Sequence, residues 1–212
     1  MWGLLAVLIG IGIIIRILKT PYFKGKAGEK TGTFFFTRFL EQTEYHVLND
    51  VILKRGDGTT QIDHIIVSPY GIFVVETKNM KGWIFGSQTD ACWTQKIYGY
   101  TTRFQNPLRQ NYKHVEAISS FLNLDKQKIH SVVLFLGDAT FKTRIPENVF
   151  TGVGSCARYI KSKTEKIFSP DEVQTIIRKF NEVKAQTSTE TVRSHIEHVQ
   201  AIKARRNGIR KD

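Results

Sequence analysis

Cysteine is scarce in this sequence, which has only Cys92 and Cys156 among its 212 residues. These two residues make no disulfide framework and lack metal-ligand spacing, so reduced thiols in a cytosolic compartment are the simplest interpretation. The sequence also has no glycine-rich phosphate loop, no serine-triad context, no helicase or zinc-finger segment and no internal repeat. These absences exclude several common classes of nucleotide-binding, hydrolytic and zinc-dependent proteins.

Negative charge is also in short supply. The chain has 19 acidic residues against 31 lysines and arginines, which gives a formal net charge of +12. That balance favours an anionic partner, either nucleic acid or the anionic face of a membrane; a merely basic soluble surface is the alternative. The hydrophobic content of 41% and the aromatic content of 11% predict a folded domain rather than a disordered chain.

The chain begins with an apolar stretch, Met1 to Leu18, whose only charge is Arg16. As a helix this stretch would extend about 27 Å, close to the hydrocarbon thickness of a bilayer. A cleaved signal peptide is the competing interpretation, but no Lys or Arg precedes the stretch and no small-residue cleavage site follows it. We therefore expect an uncleaved transmembrane anchor.

The charges around this stretch predict its orientation. Basic residues lie on its C-terminal side, so the positive-inside rule places the rest of the chain in the cytoplasm and a short N-terminus outside. We expect a transmembrane anchor at 1–18, a basic juxtamembrane linker at 19–27, a folded domain at 28–160, and C-terminal helices with a basic tail at 161–212.

Hydrophobic periodicity predicts an alternation of helices and strands. The predicted strands are Tyr45–Gly56, a hairpin over Gln61–Asn79, a third strand around Cys92–Gly99, His130–Gly137 and a strand near Phe150–Val153. The predicted helices are one from about Gly28 to Leu40, one that starts at Pro107 after the cap Asn106, one that follows a capping box of Ser169 and Glu172, and an amphipathic helix that carries Val192 to Ile202. This order implies a mixed sheet with helices packed against it.

The predicted hairpin holds three charges, Asp63, Glu76 and Lys78, in otherwise apolar strands. If its "SPYG" loop has an even number of residues, Ser68 lies opposite Gly71 and Asp63 lies opposite Glu76. The two carboxylates would then be cross-strand neighbours with Cβ atoms roughly 5 Å apart, and Lys78 would share the face of Glu76. A three-residue loop with a bulge would break this register.

Opposed carboxylates repel each other, and one lysine cannot neutralise both. A divalent cation can, and Mg²⁺ commonly takes one or two carboxylates together with waters and substrate phosphate oxygens. Such an ion lowers the pKa of bound water and stabilises charge at phosphorus. Lys78 would hold or help deprotonate the attacking water, or stabilise developing negative charge. The alternative is an ordinary salt-bridge cluster at the end of a sheet.

From about Gly25 to Leu122, a little under half of the chain, the sequence resembles the NERD (nuclease-related) domain of many bacterial proteins. The matching segments are "GKAGEKTG", "QIDHIIVSPYGIFVVETKNMKGWIFG", "WTQ" and "NPLRQNYKHVEAI". NERD domains are assigned to the PD-(D/E)xK nuclease-like superfamily. The resemblance therefore implies a restriction-endonuclease-like αβββαβ core with a mixed sheet, here preceded by the transmembrane helix and followed by the C-terminal helices.

The resemblance also implies site residues and a cofactor. Asp63 and Glu76 would bind Mg²⁺ or Mn²⁺, Lys78 would be the catalytic lysine, Glu29 would assist the metal, and Gln95 would contact substrate or order the site. On the predicted helix, substrate contacts would come from Gln110, Asn111 and His114, although an exposed polar face is the simpler interpretation of His114. The sequence departs from the literal pattern where Ile62 precedes Asp63.

Other residues have less specific interpretations. His64 is expected to be a packed histidine, since it points away from Asp63 in a strand, and His195 and His198 are expected on a solvated helix face. Five aromatic residues could stack bases of a single-stranded substrate, although aromatic residues in strands usually belong to the core: Trp83, Phe85, Trp93, Tyr98 and Tyr100.

The sequence thus predicts a membrane-anchored cytoplasmic protein that cleaves nucleic acid with a divalent metal. DNA is favoured over RNA as the substrate, and a homodimer is a further expectation because many such enzymes cut both strands as dimers. The alternative is a non-catalytic module with the same fold that binds nucleic acid or a protein and localises it at the membrane.

Overall fold

The computed structural model describes residues 36–56 and 58–186. The expected transmembrane anchor and linker, Glu29 and the amphipathic helix beyond residue 190 lie outside these ranges, and a helical turn at 36–39 coincides with the end of the first predicted helix. Within the two described ranges, no helix combines the length and the apolar character needed to cross a bilayer.

Nine strands and three helices are found in the described part of the chain. The strands are β1 (His46–Arg55), β2 (Gly58–Ser68), β3 (Gly71–Asn79), β4 (Gly82–Phe85), β5 (Cys92–Ile97), β6 (Tyr100–Gln105), β7 (Ile129–Leu136), β8 (Ala139–Phe141) and β9 (Val149–Phe150). The helices are α1 (Pro107–Leu122), α2 (Val153–Lys161) and α3 (Pro170–Gln186), and a short 3₁₀ turn spans Lys126–Lys128.

The main sheet has five strands in the order β1-β2-β3-β7-β9. Strands β1, β2 and β3 are antiparallel, whereas β7 runs parallel to β3 and β9 runs parallel to β7. The parallel step requires a long crossover, and the segment between β3 and β7 includes α1. The predicted mixed α/β fold with a mixed sheet is confirmed.

A second, four-stranded sheet has the order β6-β5-β4-β8. The strand predicted around Cys92–Gly99 exists as β5, but it belongs to this sheet rather than to the main one. The sequence did not predict β4, β6 or β8, because strands of three to six residues give too little alternation to detect. The expected strand near Phe150–Val153 is only the two-residue β9, and the chain then continues as the unpredicted helix α2.

Two of the three helices start at the residues that the sequence predicts. The side chain of Asn106 accepts a hydrogen bond from the backbone N–H of Leu108 at 2.9 Å, so it caps α1. At the start of α3, Ser169 and Glu172 exchange the two hydrogen bonds of a capping box, at 2.7 and 3.3 Å.

The main sheet is covered on both faces, which explains the nearly continuous apolar runs of β2 and β3. On one face, β2 and β3 pack against α1 and α3 through buried residues that include Ile65, Val74, Ile118 and Phe180. On the other face, the buried cluster includes Phe36, Phe73, Val132 and Ile160, the last from α2.

Over its paired residues, the hairpin between β2 and β3 has the register that the sequence predicts, but the expected pair of Asp63 with Glu76 is not formed. Ser68 pairs with Gly71 across a two-residue loop, and the pairing continues in step to His64 and Val75. Gly71 has φ +134°, and a Cβ there would lie 2.9 Å from the ring of His130, so glycine is required for both reasons. The hydroxyl of Ser68 donates to the carbonyl of Gly71 at 3.1 Å and thereby closes the loop.

Strand β2 changes its phase near Asp63. Ile62 belongs to the same buried cluster as Ile65 and Val67, although strict alternation would place it on the opposite face. On the neighbouring strand, Asp50 has φ +54°, and the pairing steps from Asn49–His64 directly to Val51–Ile62. This local irregularity decides which residues of β2 face α1.

His64 is a packed histidine, as the sequence predicts. Its Nδ1 lies 2.7 Å from Oδ1 of Asn49, and its ring meets the ring of Phe36 edge-on at a centroid distance of 5.6 Å. Burial disfavours the charged imidazolium and lowers the pKa of His64 to about 4, against partial opposition from Asp50 and Glu76.

This shift predicts an acid-sensitive fold. Because the pKa is lower in the folded chain than in the unfolded one, the stabilising effect of neutral His64 is complete above about pH 6.5 and is lost as the pH falls towards 4. We expect His64 to account for about 3 kcal/mol of that loss. In urea unfolding between pH 7.5 and 4, the free energy of unfolding of His64→Gln should depend less on pH than that of the wild type. The His46→Gln control should follow the wild type, and identical curves for His64→Gln and wild type would contradict the prediction.

Candidate active site

Glu76 and Lys78 form an ion pair at the end of β3. The ammonium of Lys78 lies 2.5 Å from Oε1 of Glu76, and the side chains are 21% and 2% exposed, respectively. The parallel register sets Glu76 beside Val133 and Lys78 beside Phe135, both fully buried residues of β7. Charges in such surroundings are tolerated only when they are paired and hydrogen-bonded.

Helix α1 supplies two further partners one turn apart. Oε1 of Gln110 accepts a hydrogen bond from Lys78 at 3.0 Å, and Nε2 of His114 lies 3.2 Å from Oε2 of Glu76. Residues four apart share a helix face, so one face of α1 covers both members of the ion pair. The prediction that His114 lies on an exposed polar face of the helix is wrong. His114 is buried, because the helix turns this residue towards the sheet.

His114 also contacts strand β2. Its Nδ1 lies 2.9 Å from the hydroxyl of Thr60 on β2. The Glu76 carboxylate only accepts hydrogen bonds, so Nε2 of His114 donates to it, and the Thr60 hydroxyl is the partner of Nδ1. The result is a chain of contacts from Thr60 through His114 to Glu76.

Asp63 meets the same end of β3 from the neighbouring strand. Its Oδ2 accepts the backbone N–H of Thr77, between Glu76 and Lys78, at 2.8 Å. Its negative charge also contributes to the pKa of Lys78, so the two groups are within electrostatic reach. The three charges that the sequence predicts to converge therefore lie around Thr77.

The charges of the site hold each other in the ionised state. Burial by itself would raise the pKa of Glu76, but Lys78 and His114 outweigh it and keep the pKa below its usual range. Burial by itself would lower the pKa of Lys78, but Glu76 and then Asp63 raise it above its usual range. Lys78 is therefore an ammonium, a donor of hydrogen bonds and positive charge.

Two predicted site residues are engaged elsewhere. The amide of Gln95, on β5, donates to the carbonyl of Lys81 at 2.8 Å, three residues beyond Lys78. Asn111 is fully buried, and its amide donates at 2.9 Å to the carbonyls of Val74 and Val132. Asn111 thus fastens α1 to β3 and β7, and its side chain has no exposed surface for a substrate contact.

Thr60 was missed by sequence reasoning, and no signal in the sequence identifies it. Extending the alternation of Ile65 and Val67 back along β2 would turn Gln61 towards α1 and Thr60 away from it. The phase change near Asp63 reverses this assignment and brings Thr60 to His114.

The five aromatic residues considered for base stacking differ in exposure, and Phe85 is half-buried. Trp93 is fully buried and its indole N–H donates to the carbonyl of Ser87 at 2.8 Å, so the expectation of a core residue is correct there. That expectation is wrong for Trp83, Tyr98 and Tyr100, which are 49%, 99% and 81% exposed.

Comparison with known proteins gives two matches. The family model of the nuclease-related domain, NERD, matches residues 24–136, just over half of the chain. An uncharacterized protein of Bacillus anthracis is 48% identical over 116 residues, which cover 54% of this chain and 54% of that protein. The chain thus spans about half the length of this curated relative.

The buried ion pair predicts a specific stability pattern. Lys78→Met leaves the Glu76 carboxylate buried without its ammonium and should lower the free energy of unfolding by about 3–5 kcal/mol at pH 7.5. Adding Glu76→Gln removes the uncompensated charge and should recover part of that loss. Denaturant unfolding of the two single variants and the double variant measures this coupling. Additive losses would show that the pair contributes no interaction energy.

Proposed function

Because the chain belongs to the NERD family of the PD-(D/E)xK nuclease-like superfamily, we propose that it hydrolyses phosphodiester bonds of nucleic acid. The observation that carries this proposal is the contact of Glu76 with Lys78 beside Asp63, at the end of one hairpin. An acid, a second acid and an ammonium in this arrangement suit displacement at phosphorus.

The donor set fits a hard divalent cation. Asp63 and Glu76 offer carboxylate oxygens, which Mg²⁺ and Mn²⁺ prefer. Each oxygen of Glu76 has one hydrogen-bond partner, Lys78 or His114, and a carboxylate oxygen can accept more than one. Within residues 36–56 and 58–186, no three His, Cys, Asp or Glu side chains form a closed metal site. Two carboxylates completed by water and phosphate oxygens suit Mg²⁺. When bound, the ion would neutralise phosphate charge and lower the pKa of water.

The ammonium of Lys78 has the most direct role among the residues of the chain. It donates to Glu76 and Gln110, and an ammonium carries three donors. Because its pKa is raised, it acts by donating a hydrogen bond to the attacking water or to the negative charge on phosphate, rather than by removing a proton. The water oxygen bonds to phosphorus while its proton passes to solvent, the bond to the leaving oxygen breaks, and that oxygen takes up a proton from solvent. Lys78 stabilises the negative charge that develops between these events.

The remaining residues hold this group in position. Thr60 and His114 fix the Glu76 carboxylate, which in turn fixes the ammonium of Lys78. Gln110 holds the ammonium from the helix side. The strong net positive charge of the chain suits a polyanionic substrate, and we propose DNA before RNA.

One observation favours a second candidate function. Both oxygens of Glu76 already have protein donors, Lys78 and His114. A stable cluster of this kind also suits a non-catalytic module that keeps the fold and binds nucleic acid or a protein.

A cleavage assay separates the two functions. Full-length protein in a mild detergent is incubated with plasmid, linear and single-stranded DNA and with RNA, in Mg²⁺, Mn²⁺ or chelator. We expect metal-dependent cutting that falls about 10²–10³-fold in Glu76→Gln and in Lys78→Met, because both change charges at the reacting phosphate. Lys81→Met, which removes an exposed neighbouring ammonium, is the matched control and should cut like wild type. Salt-sensitive binding without cutting would favour the non-catalytic module.

We also propose that Met1–Leu18 anchors the protein, with the basic linker 19–27 and the domain on the cytoplasmic side. The proposal rests on the length, apolarity and flanking charges of the stretch. Full-length protein should sediment with membranes and stay there after an alkaline carbonate wash. A chain without residues 1–18 should be released, and a wild-type chain in the soluble fraction would reject the anchor. A homodimer that cuts both strands remains part of the proposal.

A further inference from the structure

The second sheet has one face that points away from the core. Ile84, Trp93 and Phe104 pack into a buried cluster with Phe135 of β7. Because side chains alternate along a strand, their neighbours in sequence point outward. We call this the outer face; it consists of Trp83, Phe85, Thr94, Lys96, Thr101 and Arg103.

The register arranges the outer face in two rows. Trp83 pairs with Lys96, which pairs with Thr101 on the next strand. Phe85 pairs with Thr94, which pairs with Arg103. Directly paired side chains lie about 5 Å apart, so the first row sets the ring of Trp83 beside Lys96. In the second row Thr94 lies between Phe85 and Arg103, which are about 10 Å apart.

Trp83 is the prominent group of this face. Its indole is half exposed, and the ammonium of Lys142 lies 4.6 Å from its ring centroid. A large aromatic ring in this position leaves apolar surface in water while attracting cations to its π-face. Rings of this kind offer a flat surface for stacking.

The charged residues of the outer face are all positive. Strands β4, β5, β6 and β8 contain no Asp or Glu, whereas Lys96 and Arg103 are exposed on the outer face. Asp138, between β7 and β8, lies 3.7 Å from the ammonium of Lys81, which offsets its charge. The face therefore complements a polyanion.

We propose that the outer face binds single-stranded nucleic acid, with bases stacked on Trp83 and Phe85 and phosphates held by Lys96, Arg103 and Lys142. Stacking requires bases released from a duplex, and combining aromatic rings with cations is how proteins bind single strands without reading sequence. This inference rests on the proposed function and specifies its substrate as one with a single-stranded segment.

The outer face is connected to the candidate active site. Strand β4 begins four residues after Lys78, and the buried side of its sheet packs on Phe135, the residue paired with Lys78. A strand held on this sheet is therefore bound to a sheet that packs directly on the residue paired with Lys78.

The test measures binding by fluorescence anisotropy of a labelled 20-nucleotide oligothymidine and of a duplex of equal length. Full-length protein in a mild detergent is used with chelator, so that cleavage does not interfere. We expect tighter binding of the single strand than of the duplex. Trp83→Ala should weaken single-strand binding about ten-fold, because it removes one stacking surface. Trp83→Phe should retain most of the affinity.

The charges are tested by the salt dependence of binding. Lys96→Gln with Arg103→Gln should reduce the slope of log affinity against log salt concentration by about 1.4, since each lost phosphate contact contributes about 0.7 for a single strand. The control removes two exposed lysines from other elements, Lys161 of α2 and Lys179 of α3, and should change the slope less.

The outcomes distinguish this inference from the proposed function. Trp83-dependent binding without cutting would keep the inference and reject hydrolysis. Cutting that depends on Glu76, with binding that neither Trp83→Ala nor the Lys96/Arg103 variant alters, would overturn the inference alone. Absence of single-strand binding by the wild type would overturn it as well. If Trp83→Ala fails to fold, the Lys96/Arg103 variant still tests whether the outer face binds the single strand, because it changes only exposed side chains.

Discussion

The buried ion pair of Glu76 and Lys78 constrains much of the surrounding structure. Removing a carboxylate and an ammonium from water costs several kcal/mol for each group, and their mutual attraction offsets this only when other hydrogen bonds complete the site. Gln110 and His114 supply those bonds from one face of α1. The helix must therefore lie over the end of β3 at one rotation, and Asn111 fixes that rotation through the backbone of the sheet.

Strand β2 contributes to the same site through an irregularity rather than through regular pairing. Its phase change turns Thr60 towards His114 and leaves the side chain of Asp63 bonded to the backbone of β3. No residue is inserted in either strand, so this is not a bulge, but it re-aims side chains near the site as a bulge does. An unbroken ladder would also bring Asp63 and Glu76 to neighbouring positions. Thr60, however, reaches His114, and through it Glu76, only because the phase of β2 changes.

The sequence predicts the parts of the structure that depend on local chemistry or on strict periodicity. The "SPYG" loop determines the hairpin register, and the caps at Asn106 and Ser169 mark two helix starts. The family resemblance points to the helix that carries Gln110 and His114. Thr60 and the burial of Asn111 are beyond such reasoning, because they depend on a phase change and on a helix rotation that only tertiary packing determines. The second sheet escapes detection because its strands are short and its exposed aromatic residues resemble core residues in the sequence.

The two-residue loop between β2 and β3 does more than connect the two strands. The carbonyl of Pro69 accepts from the backbone N–H groups of Ile167 and Phe168, so the loop is also tied to the segment before α3. One additional residue there would slide β3 by one position and reverse the direction of every side chain along it. Glu76 and Lys78 would then face the apolar layer of Phe36 and Val132. The length of this loop therefore determines whether Glu76 and Lys78, at the far end of the strands, face the candidate site. We expect the family to tolerate substitutions in the loop far better than insertions.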